Sequence, residues 1–136
     1  MKRIFQPHGD SDLWVKDGIL YAKLLGTWNQ EAALEFSSRF KQQAQSLTDR
    51  PWAHLVYLED WDLCAIDVIP VITDLVSWCI DHNLVRAAQI YCESMIKKQF
   101  IDLMVVEQMG QFKRVSLDNE QDALNWLLEE MKAFPS

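Results

Sequence analysis

Apolar and polar positions change their period several times along the chain. Around residues 13–25, Leu20, Ala22 and Leu24 alternate with Ile19, Tyr21 and Lys23. A period of two is that of a β-strand. Asp17-Gly18 interrupts the pattern with a tight-turn dipeptide, so the segment is predicted to be a β-hairpin. From residue 29 to about 47 the spacing lengthens. Ala33, Phe36, Phe40, Ala44 and Leu47 recur at intervals of three and four, the stripe of a helix lying on a core. Thr27 with Gln30 has capping-box form, and Asn29 is the alternative cap.

Asp49-Arg50-Pro51 marks a turn. Ala53 to Leu58 is apolar on both faces except at His54, the pattern of a central strand covered on both sides. An acidic loop, Glu59-Asp60-Trp61-Asp62, leads to a second helix over roughly 66–81, its first turn set near Pro70. Arg86 to Tyr91 is a further strand, and Ser94 caps a helix at about 95–105. Phe112 to Val115 is a last short strand. Asp118 and Gln121 then form a capping-box pair for a final helix, with Ala123, Leu124, Leu127, Leu128 and Met131 turned to the core. The order β-β-α-β-α-β-α-β-α predicts an α/β fold: a mixed, mostly parallel five-stranded sheet with an N-terminal hairpin and four helices. No repeat or linker divides residues 1–136, so a single domain is expected.

Composition narrows the function more than the fold. The net charge is −7, and Lys97-Lys98 and Lys113-Arg114 are the largest basic groups. Phosphate backbones and anionic membranes both need clustered cations, so neither nucleic acid nor a membrane surface is an expected partner. No apolar run reaches the ~18 residues of a spanning helix, and Met1–Asp10 carries no apolar signal region. Three widely spaced cysteines, Cys64, Cys79 and Cys92, fit reduced thiols, and a cytoplasmic setting is expected.

Candidate chemistry is sparse. The four glycines are too scattered for a phosphate loop, and His8, His54 and His82 have no metal-ligand spacing. His54, on a strand, reads as a hydrogen-bonded core group. Neither a metal nor a cofactor is expected, and no catalytic residue is assigned. Two candidates remain. Glu59, Asp60, Trp61, Asp62 and Cys64 lie beyond a central strand, where α/β folds place ligands or partners. Their carboxylates also suit the positive end of a helix, which is the plainer explanation. Cys64 near that helix start and Cys92 after a strand could share one end of the sheet, but the surrounding acids disfavour a thiolate. The three tyrosines, Tyr21, Tyr57 and Tyr91, all fall on predicted strands.

Two stretches carry a family likeness. One is the hairpin followed by Leu25-Gly26-Thr27-Trp28-Asn29 opening a long helix. The other is the ending, from Phe112-Lys113-Arg114-Val115 through Asp118 to Ala123-Leu124-Asn125-Trp126-Leu127. Together they resemble SpoIIAA-like, or STAS-like, domains, remotely grouped with CRAL-TRIO lipid carriers. The resemblance implies a βα superhelix with a mixed sheet and a non-enzymatic role through protein contacts. The alternative it implies is an apolar small-molecule or lipid carrier of CRAL-TRIO type. The family's phosphorylatable serine has no counterpart here: residues 58–67 contain neither Ser nor Thr.

The second helix also suggests a homodimer. Asp67, Thr73, Asp74, Ser77 and Asp81 occupy one side, leaving an apolar arc of roughly 200°, wider than one sheet contact needs. Either a neighbouring helix of the same chain or a second subunit covers the excess. Val71, Leu75 and Trp78 are the expected contact residues in the second case. An interior apolar cavity would favour the carrier reading, and a flat apolar patch the protein-contact reading.

Overall fold

The computed structural model describes residues 9–91 and 95–135. Strands β1 (Asp10–Lys16) and β2 (Ile19–Trp28) form the predicted hairpin. Asp17 and Gly18 both take positive φ, 54° and 76°, which suits the right-handed twist of the strands they join. Helix α1 (Gln30–Ala44) follows, with the Asn29 side chain accepting from Ala32 N, so Asn29 rather than Thr27 is the cap. Next come β3 (Trp52–Tyr57), β4 (Trp61–Cys64), α2 (Val68–Asp81), β5 (Leu84–Ile90), α3 (Met95–Met104), β6 (Gln108–Met109), β7 (Phe112–Leu117) and α4 (Glu120–Met131). The predicted Ser94 cap and Cys92 lie outside the described residues.

The sheet has seven strands rather than five, in the order β1-β2-β3-β5-β7-β6, with β4 paired to β2. The hairpin and β6–β7 are antiparallel and the other pairings are parallel. The two added strands are short. β6 is a two-residue edge strand, while β4 pairs Trp61 with Gly26 and Cys64 with Trp28. Acids flanking Trp61 gave β4 the composition of a loop, yet they stand on its solvent side while Trp61 and Cys64 are buried.

Period-two alternation sorts the sheet into two faces. Leu20, Ala22 and Leu24 of β2, with Trp52 and Val56 of β3, meet α1, α2 and α3. Ile19, Tyr21, Ala53, Leu55, Ala88 and Ile90 form the opposite face, where α4 packs with Ala123 and Leu127. The stripe expected on α4 is narrower than its sequence suggests. Leu124 and Met131 are half-buried and Leu128 is 60% exposed, because one helix on a twisted sheet buries only its central line. The α4 cap also moves: Asn119, not Asp118, accepts from Asp122 N at 2.8 Å.

Arg86 fastens α4 to the sheet. It is buried, with Nε donating to Glu130 at 2.9 Å, Nη1 donating to the carbonyls of Val85 and Gln111, and Phe134 lying 5.0 Å from the guanidinium.

Candidate functional site

The face carrying three helices is incompletely filled. Phe36 and Phe40 of α1, Leu75 and Cys79 of α2, and Ile101 and Met104 of α3 arch over β2, β3, β5 and β7, leaving a cavity of about 100 Å³. For scale, an engineered cavity of about 150 Å³ admits benzene. Its walls are almost wholly apolar, and no Lys, Arg, Asp or Glu lines it.

His54, Gln89 and Trp61 bring polar atoms to the lining, and the Nε1 of Trp28 is taken up by the Leu25 carbonyl. His54 on β3 has Nδ1 2.7 Å from the Leu20 carbonyl. A carbonyl only accepts, so Nδ1 carries the proton and Nε2 of the neutral ring is a bare acceptor. Burial holds the imidazole down to about 4, against the opposing pull of the Leu20 carbonyl, so the ring is neutral at pH 7. Gln89 on β5 is buried, and its Oε1 accepts from Arg114 Nη1 at 3.2 Å and Ser116 Oγ at 3.4 Å. Its two donor hydrogens therefore sit on the other branch of the amide. Trp61 is 2% exposed, and its Nε1 is the one buried side-chain polar atom without a partner among the described residues.

Helix α3 is held over this space by Arg114, whose Nη2 donates to Asp102 at 2.7 Å and whose Nε donates to the Val105 carbonyl at 3.1 Å. Lys98 and Arg114 together hold the Asp102 carboxyl below its ordinary range.

The acidic segment is divided at β4, whose pairing with β2 is irregular. Glu59, Asp60 and Asp62 are exposed, while Trp61 and Cys64 turn inward. Asp60 meets Lys23 at 3.8 Å, and among the described residues no group of His, Cys, Asp and Glu side chains is arranged to hold a metal ion. Burial, reinforced by Asp67, pushes the Cys64 thiol up to about 11. Burial pushes Cys79 up to about 12 despite Lys41. Both thiols are thus protonated near neutrality, and the helix start beside Cys64 does not produce a thiolate.

The expected dimer residues also separate. Leu75 is a core residue lining the cavity, a correction to its place among subunit contacts. Both flanks of α2 are occupied by its own chain, α1 on one and α3 on the other. Val71 and Trp78 remain half-buried, and the Trp78 ring is already stacked on His82 at 4.2 Å with Lys41 Nζ 5.6 Å away. The tyrosines do not share a face. Tyr21 and Tyr57 stack with Trp14 on the α4 side, and Tyr91 packs into the other cluster.

This arrangement of strands and helices has solved counterparts. An uncharacterised protein from Shewanella loihica PV-4 with a SpoIIAA-like fold superposes with a TM-score of 0.67 at 12% identity, covering 92% of this chain and 99% of that one. The chain has the SpoIIAA-like fold. The anti-sigma factor antagonist SpoIIAA, in its unphosphorylated form, superposes with a TM-score of 0.57 at 10% identity, over 88% of this chain and 98% of that one. No protein-family model and no curated protein matches the sequence. Within the SpoIIAA-like fold, the cavity residues His54 and Gln89 come from the two central strands β3 and β5. His54 stood out in the sequence only as the one polar residue of an apolar strand. Gln89 is the equivalent break in β5, since Ala87 and Ala88 precede it and Ile90 follows.

Proposed function

We propose that this domain is a non-catalytic binding module whose interior cavity takes a small apolar ligand. The observation that carries the reading is the apolar cavity of about 100 Å³ between the sheet and α1–α3. Natural interiors are packed with few voids larger than a water, so an unfilled apolar space of this size is a cost that a ligand would offset. The lack of a charged lining residue favours a neutral guest. The protonated state of Cys64 and Cys79 supports a binding role over thiolate chemistry. No helix among the described residues is long and apolar enough to cross a membrane, which agrees with a module that does not insert into one. A cytoplasmic location belongs to the same proposal.

Toluene is a direct probe. Added to methyl-labelled protein, it should shift the resonances of Leu75, Ile101 and Met104 saturably, and Ala87→Leu, which adds bulk at a lining position, should weaken its binding. Unmoved methyl resonances up to the solubility limit of toluene would refute the reading.

A second reading, a homodimer or other protein-contact module, draws on a different observation. Ile66, Leu103, Val106 and Met109 are exposed on or beside α2 and α3, where Val71 and Trp78 are half-buried. The exposed acids Glu59, Asp60 and Asp62 would border such a contact. Sedimentation velocity at micromolar concentration should then give a dimer that Val71→Asp dissociates; a monomer throughout would remove this reading.

A further inference from the structure

We infer that the cavity takes a small neutral hydroxyl compound, an apolar ring or branched alkyl body bearing one hydroxyl, held between Nε2 of His54 as acceptor and Nε2 of Gln89 as donor. The inference rests on the apolar-ligand reading above and adds the chemistry of recognition.

Geometry supplies the pair. His54 lies opposite Ala87 and Val56 opposite Gln89, so His54 and Gln89 are diagonal neighbours on adjacent strands, and both line the cavity. Parallel strands about 4.8 Å apart, rising about 3.3 Å per residue, put such neighbours roughly 8 Å apart, within reach of a single bridging oxygen. Their hydrogen-bond roles are fixed by partners outside the cavity. The Leu20 carbonyl makes His54 Nδ1 the donor, leaving Nε2 with a free lone pair. The Arg114 guanidinium can only donate, so the oxygen of Gln89 faces it and the amide nitrogen is the free branch. Among the described residues only Trp61 Nε1 is both sealed and unpartnered, so these two free nitrogens retain accessible surface. His54 is partly buried, keeps some accessible surface and lines the cavity.

A hydroxyl both donates and accepts, and it matches this pair with one oxygen. A carboxylate would find no cationic side chain among the lining residues, and a pure hydrocarbon would leave both nitrogens unpaired. A lone water would satisfy the same two atoms but leave its other bonds unmade against apolar walls, where buried waters usually make about three. An apolar body carrying the hydroxyl fills that space as well.

Phenol and toluene differ by the group in question. In paired titrations of the intact chain, phenol should bind at least about tenfold more tightly than toluene, because a site built to hydrogen-bond a hydroxyl rejects the analogue that lacks it. His54→Leu should abolish that preference while toluene still binds. In the unsubstituted protein the ¹⁵N resonance of His54 Nε2 should move on adding phenol and stay in place with toluene; this readout decides alone if His54→Leu does not fold. Equal affinities, or a stationary Nε2 resonance at saturating phenol, would overturn the hydroxyl inference and leave the cavity reading standing. Failure of both compounds to bind would overturn both.

Discussion

The two faces of the sheet are built from the same alternating strands but solved differently. On the α4 side, one helix closes a compact cluster in which Ala53, Leu55, Ala88, Ala123 and Leu127 are at or near zero exposure. Small residues there let helix and sheet approach closely. On the other side, three helices and the sheet meet through larger side chains, including Phe36 and Phe40 of α1, Trp52 of β3 and Trp61 of β4, and still leave a cavity. Bulky side chains meeting from helices and strands tile a volume less completely than alanines meeting at close range. The close-packed side also holds Arg86, anchored through Nε and Nη1, whereas the hollow side holds polar atoms without protein partners. One face is fitted for stability, and the other has space and unspent hydrogen bonds.

The largest effect that separates the faces is expected at Leu127, fully buried under α4. Leu127→Ala should cost about 2–5 kcal/mol in urea unfolding. A loss below about 0.5 kcal/mol, the scale of surface changes, would show that the α4 side is not close-packed.

On the hollow face, pH supplies the contrast. The folded state holds His54 at about 4, below the 6.5 of an unfolded chain. In that interval the unfolded state binds the extra proton. The His54 contribution is therefore complete above about pH 6.5 and is lost as pH falls toward 4. The shift corresponds to about 3 kcal/mol. Unfolding midpoints measured across that range should fall, and His54→Leu should flatten the decline.

Adding volume should act with opposite signs on the two sides. Ala123→Leu, in the close-packed cluster, should destabilise by about 1–3 kcal/mol through overpacking. Ala87→Leu, facing the cavity, should be neutral or stabilise by up to about 1 kcal/mol. Equal losses in thermal melts would mean that the cavity does not accept a side chain. The smallest effect concerns a helix start: Asn119→Ala removes the bond to Asp122 N and should cost about 1 kcal/mol, with Asn119→Ser restoring most of it.

Much of the fold was legible because it follows local rules. Asp17-Gly18 marked the hairpin, the three-four spacing of Ala33, Phe36, Phe40 and Ala44 marked α1, and the run around Leu55, apolar except at His54, marked a central strand. The misreadings have separate causes. Strand β4 was hidden because Asp60 and Asp62 flank Trp61, and composition outweighed alternation in so short a segment. Leu128 and Leu75 were misplaced because periodicity tells which side of a helix is apolar but not how much of that side its neighbours cover. The cavity was illegible for a deeper reason. It is a deficit between side chains that are far apart in sequence, and no single element records it. His54 was correctly read as hydrogen-bonded, yet that bond uses only one of its two nitrogens.

The division of labour between the faces also sets an order of events for a chain growing from the ribosome. The hairpin β1–β2 can close as soon as both strands emerge, but β2 completes its pairing only when Trp61 and Cys64 reach Gly26 and Trp28. By the time β7 has joined β5, helices α1 to α3 already exist and the hollow side has its cover. The close-packed side has none until α4, the last element in chain order, is made. During that interval Leu55, Ala88 and Ile90 face water, an exposed apolar surface of the kind that draws chaperones or other nascent chains. Folding of this domain is therefore finished by its final helix, and damage to α4 would be felt first as aggregation during synthesis.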